Sequence, residues 1–326
     1  MSVYVHHLPV TLVLAFAFQS FDSALAQSPP AFPNKPVRIV VPYAPGGGTD
    51  IISRQLAQKL QEAWSQTVLV ENRPGANGVI GTDWVLKQPA DGHTLAVVVA
   101  AHVINPSLVA KMPFDAVNDV APVTLIATSP WVIVVNPGVP AQNLRELIVY
   151  AKANPGKLKF GSSEPSSRLA GEQFKENAGV ELLHVPYKGG SQIMTDMLGG
   201  HVELGFTSTL TVLQHYKSGK LRVLAVGGKA RHASLPDVPT AIEAGLPGYE
   251  TYAWYGMYAP KATPREVIVR IQHEIARVVK VPEMAERFSQ LGGEPIANSP
   301  DAFSAFTRSE FEKYAKLVKQ AGIQPE

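Results

Sequence analysis

The chain has 326 residues, 45% hydrophobic and 17% charged, which suits a soluble globular protein of about two ordinary domains. A formal net charge of +2 argues against nucleic acid as a partner. The absence of cysteine excludes disulfides, thiol catalysis, iron–sulfur clusters and a lipid-anchored lipoprotein start.

In chain order, the first feature is a short apolar stretch from Pro9 to Phe18, followed by Ala24-Leu25-Ala26 before Gln27. This small-x-small pattern predicts a secretory signal peptide over residues 1–26, cleaved after Ala26, and hence a periplasmic protein without a lipid anchor. The segment before the apolar stretch carries His6 and His7 but no Lys or Arg. No later segment is apolar for long enough to span a membrane.

Val37 to Ala44 is β-branched and apolar, and reads as a strand buried on both faces. Pro45-Gly46-Gly47-Gly48 follows. Ile52, Leu56, Ala57 and Leu60 then recur at helical spacing, with Thr49 and Asp50 as possible N-caps. A strand, a glycine turn and a helix start direct unpaired amides and a positive dipole end at one spot. The stretch therefore predicts an anion site made of backbone, without a basic side chain. The plain alternative is a tight turn in an α/β unit. It is not a P-loop, because Gly48 is followed by Thr49 and Asp50. Position 51 is Ile, so the dinucleotide fingerprint fails as well.

Strand and helix signals then alternate. Thr67–Asn72 predicts a strand, Val79–Gln88 a helix and His93–Ala100 a buried strand. Val120–Pro137 is long and extended, as for one strand passing between two lobes. Asn143 caps a helix closed by Asn154-Pro155-Gly156. Strands and helices continue to alternate to Gly228, which predicts a mostly parallel sheet with crossover helices. In the last third, Thr263-Pro264-Arg265-Glu266 predicts a capping box, and Ser299-Pro300 opens a final helix.

Several blocks carry a resemblance that covers nearly the whole chain after residue 26. They include "PNKPVRIVVPYAPGGGTD", "VENRPGANGVIGTD", "VPYKGG", "LPDVPTAIEAGLPGYE" and "WYGMYAP". Their order and spacing resemble the Bug family, TctC-like extracytoplasmic receptors of tripartite tricarboxylate transporters. The resemblance implies an α/β, two-lobe, Venus-flytrap fold of type II-like architecture. Residues 27–125 and 250–326 would form lobe 1, and residues 126–249 lobe 2. It further implies a small carboxylate ligand, no cofactor, a monomer, and delivery to the large and small membrane subunits of a transporter. Gly46, Gly47, Gly48 and Thr49 would meet the carboxylate through backbone groups or ordered water.

The second lobe offers a similar loop, in which Ser162, Ser163, Ser166 and Ser167 lie at a helix start. The bland reading is helix capping. This loop departs from the family pattern: Glu164-Pro165 intrude, it is shorter, and Arg168 stands where His is usual. An ion pair to Glu172 gives little reason for Arg168, whereas a bidentate grip on a second ligand carboxylate would. Thr207, beside Ser208, stands where family members that bind acidic amino acids tend to have Asp. That favours a ligand without an α-amino group, although Glu164 could supply a carboxylate instead. His102, Ser129 and Tyr187 sit at strand ends or near the crossover and are further candidates for the cleft.

The histidines show no metal-ligand spacing, so no metal site is expected. No G-x-S-x-G elbow is present. The favoured expectation is a non-enzymatic solute receptor. Two others stay open: a subunit presenting its ligand to a membrane histidine kinase, and an exported hydrolase.

Overall fold

The computed structural model describes residues 1–4, 32–320 and 322–325, so the predicted signal peptide and its cleavage site after Ala26 lie outside the described residues, apart from Met1–Tyr4. From Phe32 onward the chain forms a unit with two lobes. In the first, strand β1 (Val37–Val41) pairs in parallel with β2 (Val68–Asn72) on one side and β3 (Thr94–Val98) on the other. Helices α1 (Gly48–Trp64) and α2 (Val79–Leu86) make the crossovers. Ile52, Leu56 and Leu60 of α1 are almost fully buried, as their spacing requires. Burial of each contributes roughly 1.5–3 kcal/mol. A short helix, α3 (Ala101–Ile104), follows β3.

Strand β4 (Val120–Val135) joins the lobes. It pairs antiparallel with β9 (Tyr252–Pro260) from Val120 to Pro130, then with strands of the second lobe from Trp131 onward. The extended run predicted at 120–137 is thus one continuous strand shared by two sheets. The second lobe contains α4 (Leu144–Ala153), β5 (Lys159–Ser162), α5 (Pro165–Ala178), β6 (Leu183–Pro186), α6 (Gly190–Leu198), β7 (Leu204–Ser208), α7 (Thr209–Lys217) and β8 (Arg222–Val226). Strand β5 pairs in parallel with β6 and β7. The chain returns along β9 and ends with α8 (Arg265–Lys280), α9 (Pro282–Leu291), β10 (Glu294–Pro295) and α10 (Pro300–Gln320).

The cores follow this division. One pair of apolar clusters draws on residues up to Trp131 and beyond Thr251, with Leu169 as the one side chain from the other lobe. The other pair draws on Val132 to Tyr249. The fold is that of an α/β periplasmic binding protein.

Two local expectations are corrected, and one strand escaped the sequence reading. Strand β9 carries no alternating pattern, because both its faces are buried, and it was not foreseen. The capping box at Thr263 does not form: Pro264 is the N-cap of α8, and Thr263 Oγ1 donates to the Pro260 carbonyl at 2.7 Å instead. The N-cap of α1 is Gly47, so Thr49 and Asp50 lie inside the first turn. Asp50 turns back and accepts the Gly46 amide at 3.0 Å. Asn143, by contrast, caps α4 as expected, accepting from the Glu146 amide at 3.0 Å.

Candidate ligand-binding cleft

A cavity opens where β4 and β9 pass between the lobes. The empty space there, open mouth included, is about 550 Å³. Four helix N-termini converge on it. The N-caps of α1, α5, α6 and α7 are Gly47, Glu164, Gly189 and Ser208, and all four line the wall. Three of these helices have no side-chain cap; only α5 is capped, by Glu164. Each of the three uncapped helix starts presents unpaired amides and the equivalent of about half a positive charge.

The glycines of the first loop differ from one another. Gly46 adopts φ +81°, a left-handed conformation, and its amide is committed to Asp50. It does not line the cavity. Gly48 packs under Tyr255, where a Cβ would come within 2.5 Å of the phenolic oxygen and 3.3 Å of Ser208 Oγ. Gly47 is different again. Its φ of −79° and ψ of 169° suit any residue, and a Cβ there would meet only the Ala44 carbonyl, at 3.9 Å. Packing does not require glycine at 47, but close approach by a ligand would. Thr49 also lines the cavity, and its hydroxyl bonds to no other described residue.

The second-lobe serine loop is organised around its own carboxylate. Glu164 accepts from the Ser166 amide at 3.0 Å, from the Ser167 amide at 3.2 Å and from the Ser166 hydroxyl. Ser167 Oγ accepts from the Glu164 amide in return, which completes a capping box. Burial raises the Glu164 carboxyl above its usual range, against the opposing effect of the Ser166 and Ser167 bonds. Of the four serines of this loop, only Ser163 lines the cavity. Ser162 is buried against His184, 2.6 Å away, and Ser166 serves the cap.

The remaining candidates divide in the same way. Thr207 and Ser208 line the cavity at the end of β7. Ser208 Oγ accepts from the Tyr255 hydroxyl at 3.2 Å, which ties the lobes together across the site. Arg168 does not line the cavity. It lies on the first turn of α5 close enough to His184 to help hold that imidazole's pKa low, second to burial, and its Nε is buried without a partner. Glu172 pairs with Lys175 instead. His102 is a core residue: it packs on Phe114 and Tyr258, Nε2 lies 2.7 Å from the Ala116 carbonyl, and burial drops its pKa to about 4. Ser129 is fully buried and donates to the Gly292 carbonyl at 2.8 Å. The Tyr187 hydroxyl donates to Asp196 at 2.7 Å and lies outside the wall.

The wall contains groups that the sequence reading passed over. Lys188 adds a cation, so the site is not purely backbone. Tyr43, Trp131 and Tyr255 add aromatic surface. The signal for Lys188 lay one residue beyond Tyr187, beside the pair Gly189-Gly190, which repeats the glycine-before-helix pattern of the first loop. Among the described residues, no group of three His, Cys, Asp or Glu side chains is placed to hold a metal.

Residues 52–323 match the model of the tripartite tricarboxylate transporter family receptor, TctC. The chain belongs to this family. It is 38% identical over 300 residues to a UPF0065 protein from the tcbD–tcbE intergenic region of Pseudomonas sp. (strain P51), covering 91% of this chain and 89% of the relative. It is similar to the periplasmic binding protein BugD at 35% identity and a TM-score of 0.86, covering 90% of this chain and 100% of BugD. It is also similar to R. palustris Rpa4515 with adipate, at 33% identity and a TM-score of 0.87, covering 90% of this chain and 100% of the other.

Proposed function

We propose that this protein is a periplasmic receptor that captures a small carboxylate between its lobes and delivers it to the large and small membrane subunits of a tripartite tricarboxylate-type transporter. The observation that carries the reading is the convergence of four helix N-termini on one cavity, three of them uncapped. Amides and aligned dipoles favour an anion there, and burial strengthens the effect because the surrounding dielectric is low. The carboxylate sits against Gly47, Gly48 and Thr49, with Lys188 as a counter-charge on the opposite lobe. Ser163, Thr207 and Ser208 supply hydroxyls from that lobe. Groups from both lobes give the ligand different contacts in the open and closed forms, and this difference drives closure. The protein acts as a monomer and returns the ligand chemically unchanged. The adipate bound to Rpa4515 supports the ligand class.

A thermal-shift screen against a panel of mono-, di- and tricarboxylates tests this. A ligand at 100 times its Kd should raise unfolding stability by roughly 2.7 kcal/mol. A flat response across the panel, or recovery of an altered ligand after incubation, would overturn the reading.

A further inference from the structure

Ser129 and Thr209 are fully buried hydroxyls outside the cavity wall. Thr209 is the first residue of α7, directly after the N-cap Ser208 that lines the cavity. Ser129 lies in β4 two residues before Trp131, where the strand leaves β9 and begins to pair with the second lobe. Ser129 Oγ is 2.8 Å from Thr209 Oγ1 and donates to the Gly292 carbonyl, also at 2.8 Å. Thr209 Oγ1 lies 3.1 Å from the Pro130 carbonyl. Two hydroxyl protons thus serve three contacts. With the Ser129 proton on Gly292, the Thr209 proton is shared between Ser129 and Pro130, and each bond polarises the next. The chain runs from the second lobe, through the connecting strand, to the first. Gly292 closes α9 in a left-handed conformation, φ +79°. A Cβ there would come within 2.7 Å of Thr209 Cβ and 3.1 Å of its carbonyl carbon. The end of α9 therefore rests directly on the start of α7. The negative end of one helix dipole meets the positive end of the other, so this contact between the lobes is attractive.

We propose that Thr209 is a positioning residue for ligand capture: through Ser129 and Gly292 it fixes the start of α7 against the first lobe. The α7 amides and the Ser208 hydroxyl are thereby held toward the point that the Gly47–Thr49 loop faces. This rests on the carboxylate-receptor reading of the same cavity. The connecting strands β4 and β9 leave the lobes able to bend about the hinge. A charge-assisted hydrogen bond tolerates only a narrow range of distances, about 2.7–2.9 Å, so a small rotation of α7 would cost the ligand its contacts there. The hydroxyl chain limits that rotation at the pivot, where no ligand atom reaches it. Ser129 is thus tied to the cleft without lining it.

The test compares Thr209→Val, which keeps the shape and loses the hydroxyl, with Thr209→Ser, which keeps the hydroxyl and loses a methyl. The chain has no cysteine, so Gln58→Cys on α1 and Lys152→Cys on α4, both exposed, can carry spin labels, one on each lobe. Without ligand, Thr209→Val should broaden or shift the distribution of distances between the labels, and Thr209→Ser should leave it as in wild type. Calorimetry with succinate, adipate and citrate then reads capture. Thr209→Val should weaken whichever of these the wild type binds by about 10-fold, as for loss of one hydrogen bond. Thr209→Ser should bind within about twofold of wild type even where its unfolding midpoint falls. Ser129→Ala breaks the same chain and should match Thr209→Val, and it carries the test if Thr209→Val fails to fold. Combined, the two should cost no more than either alone, because they remove one connection. Unchanged label distances and affinity in Thr209→Val and Ser129→Ala overturn the inference. So does a loss in Thr209→Ser equal to that in Thr209→Val, or losses that multiply in the double variant. If the wild type binds none of the three acids, that result counts against the receptor reading, and the label distances still decide whether the chain fixes the lobes.

Discussion

Two strand-to-helix loops flank the cavity, and they reach a similar backbone shape by opposite means. The loop into α1 ends in Gly47, with no side chain to satisfy the helix start. The loop into α5 ends in Glu164, whose carboxylate fills that role from within. The first loop leaves its helix start without a side-chain cap, whereas the second carries its own. Ser162, Ser166 and Ser167, which look ligand-facing in the sequence, are therefore structural, while Ser163 alone of that loop lines the cavity, and the glycines of the first loop divide in the same way.

The largest effect on folding should come from Gly48→Ala. The added Cβ would press on Tyr255 and Ser208, with the closest contact at 2.5 Å. Overpacking of this kind typically costs about 1–3 kcal/mol. Gly47→Ala, one residue earlier, has open space and should leave stability within about 0.5 kcal/mol of wild type. Chemical denaturation of the two variants distinguishes the roles. Equal losses would mean that both glycines serve only the turn.

The capping loop should respond next. Glu164→Ala removes the N-cap of α5 and should cost about 0.5–2 kcal/mol, with or without ligand. The pH dependence carries its own sign. Burial holds the Glu164 carboxyl above the 4.5 of an unperturbed glutamate, so the folded state keeps its proton more tightly than the unfolded state. Its contribution to stability is fully present below that value and is lost as pH rises through the raised one. Glu164→Gln should flatten this part of the stability–pH curve. A contribution that instead grows with pH would mean that the capping bonds outweigh burial.

Smaller effects should separate lining residues from supporting ones. Thr49→Val keeps shape and removes one hydroxyl, so ligand affinity should fall by about 0.5–1.5 kcal/mol with stability nearly unchanged. Ser162→Ala, behind the wall, should leave affinity unchanged while loosening the contact with His184. Titration calorimetry on both tests the assignment. Weaker binding in Ser162→Ala alone would return that serine to the site.

Much of this frame was legible in the sequence, for physical reasons. A buried β-branched run followed by glycines and a periodic helix specifies β1 and α1 locally. The length and apolarity of residues 120–137 marked the strand shared by the lobes. What escaped depends on tertiary arrangement. Nothing local shows that α6 and α7 start beside α1, because their loops meet only when β6 and β7 take their places beside β5. Tyr187 was singled out and Lys188 passed over, because the end of a strand does not reveal which of two neighbours faces the cleft. His102 offers the same residue type to a core or to a ligand, and only burial against Phe114 and Tyr258 decides between them. Strand β9 lacked the alternation that marks a half-buried strand.

The central claim is that bare backbone at Gly47 holds the ligand's carboxylate. Gly47→Val tests it most directly. Valine suits the extended φ and ψ found there and its Cβ would meet nothing nearer than the Ala44 carbonyl at 3.9 Å, so the variant should fold. Its side chain would fill the approach to the amides of Gly48 and Thr49. Calorimetry with the tightest-binding carboxylate of the panel should show affinity reduced by about 100-fold or more, as for loss of two charge-assisted hydrogen bonds. Wild-type affinity in a folded Gly47→Val protein would contradict the account and leave the glycine loop as a turn.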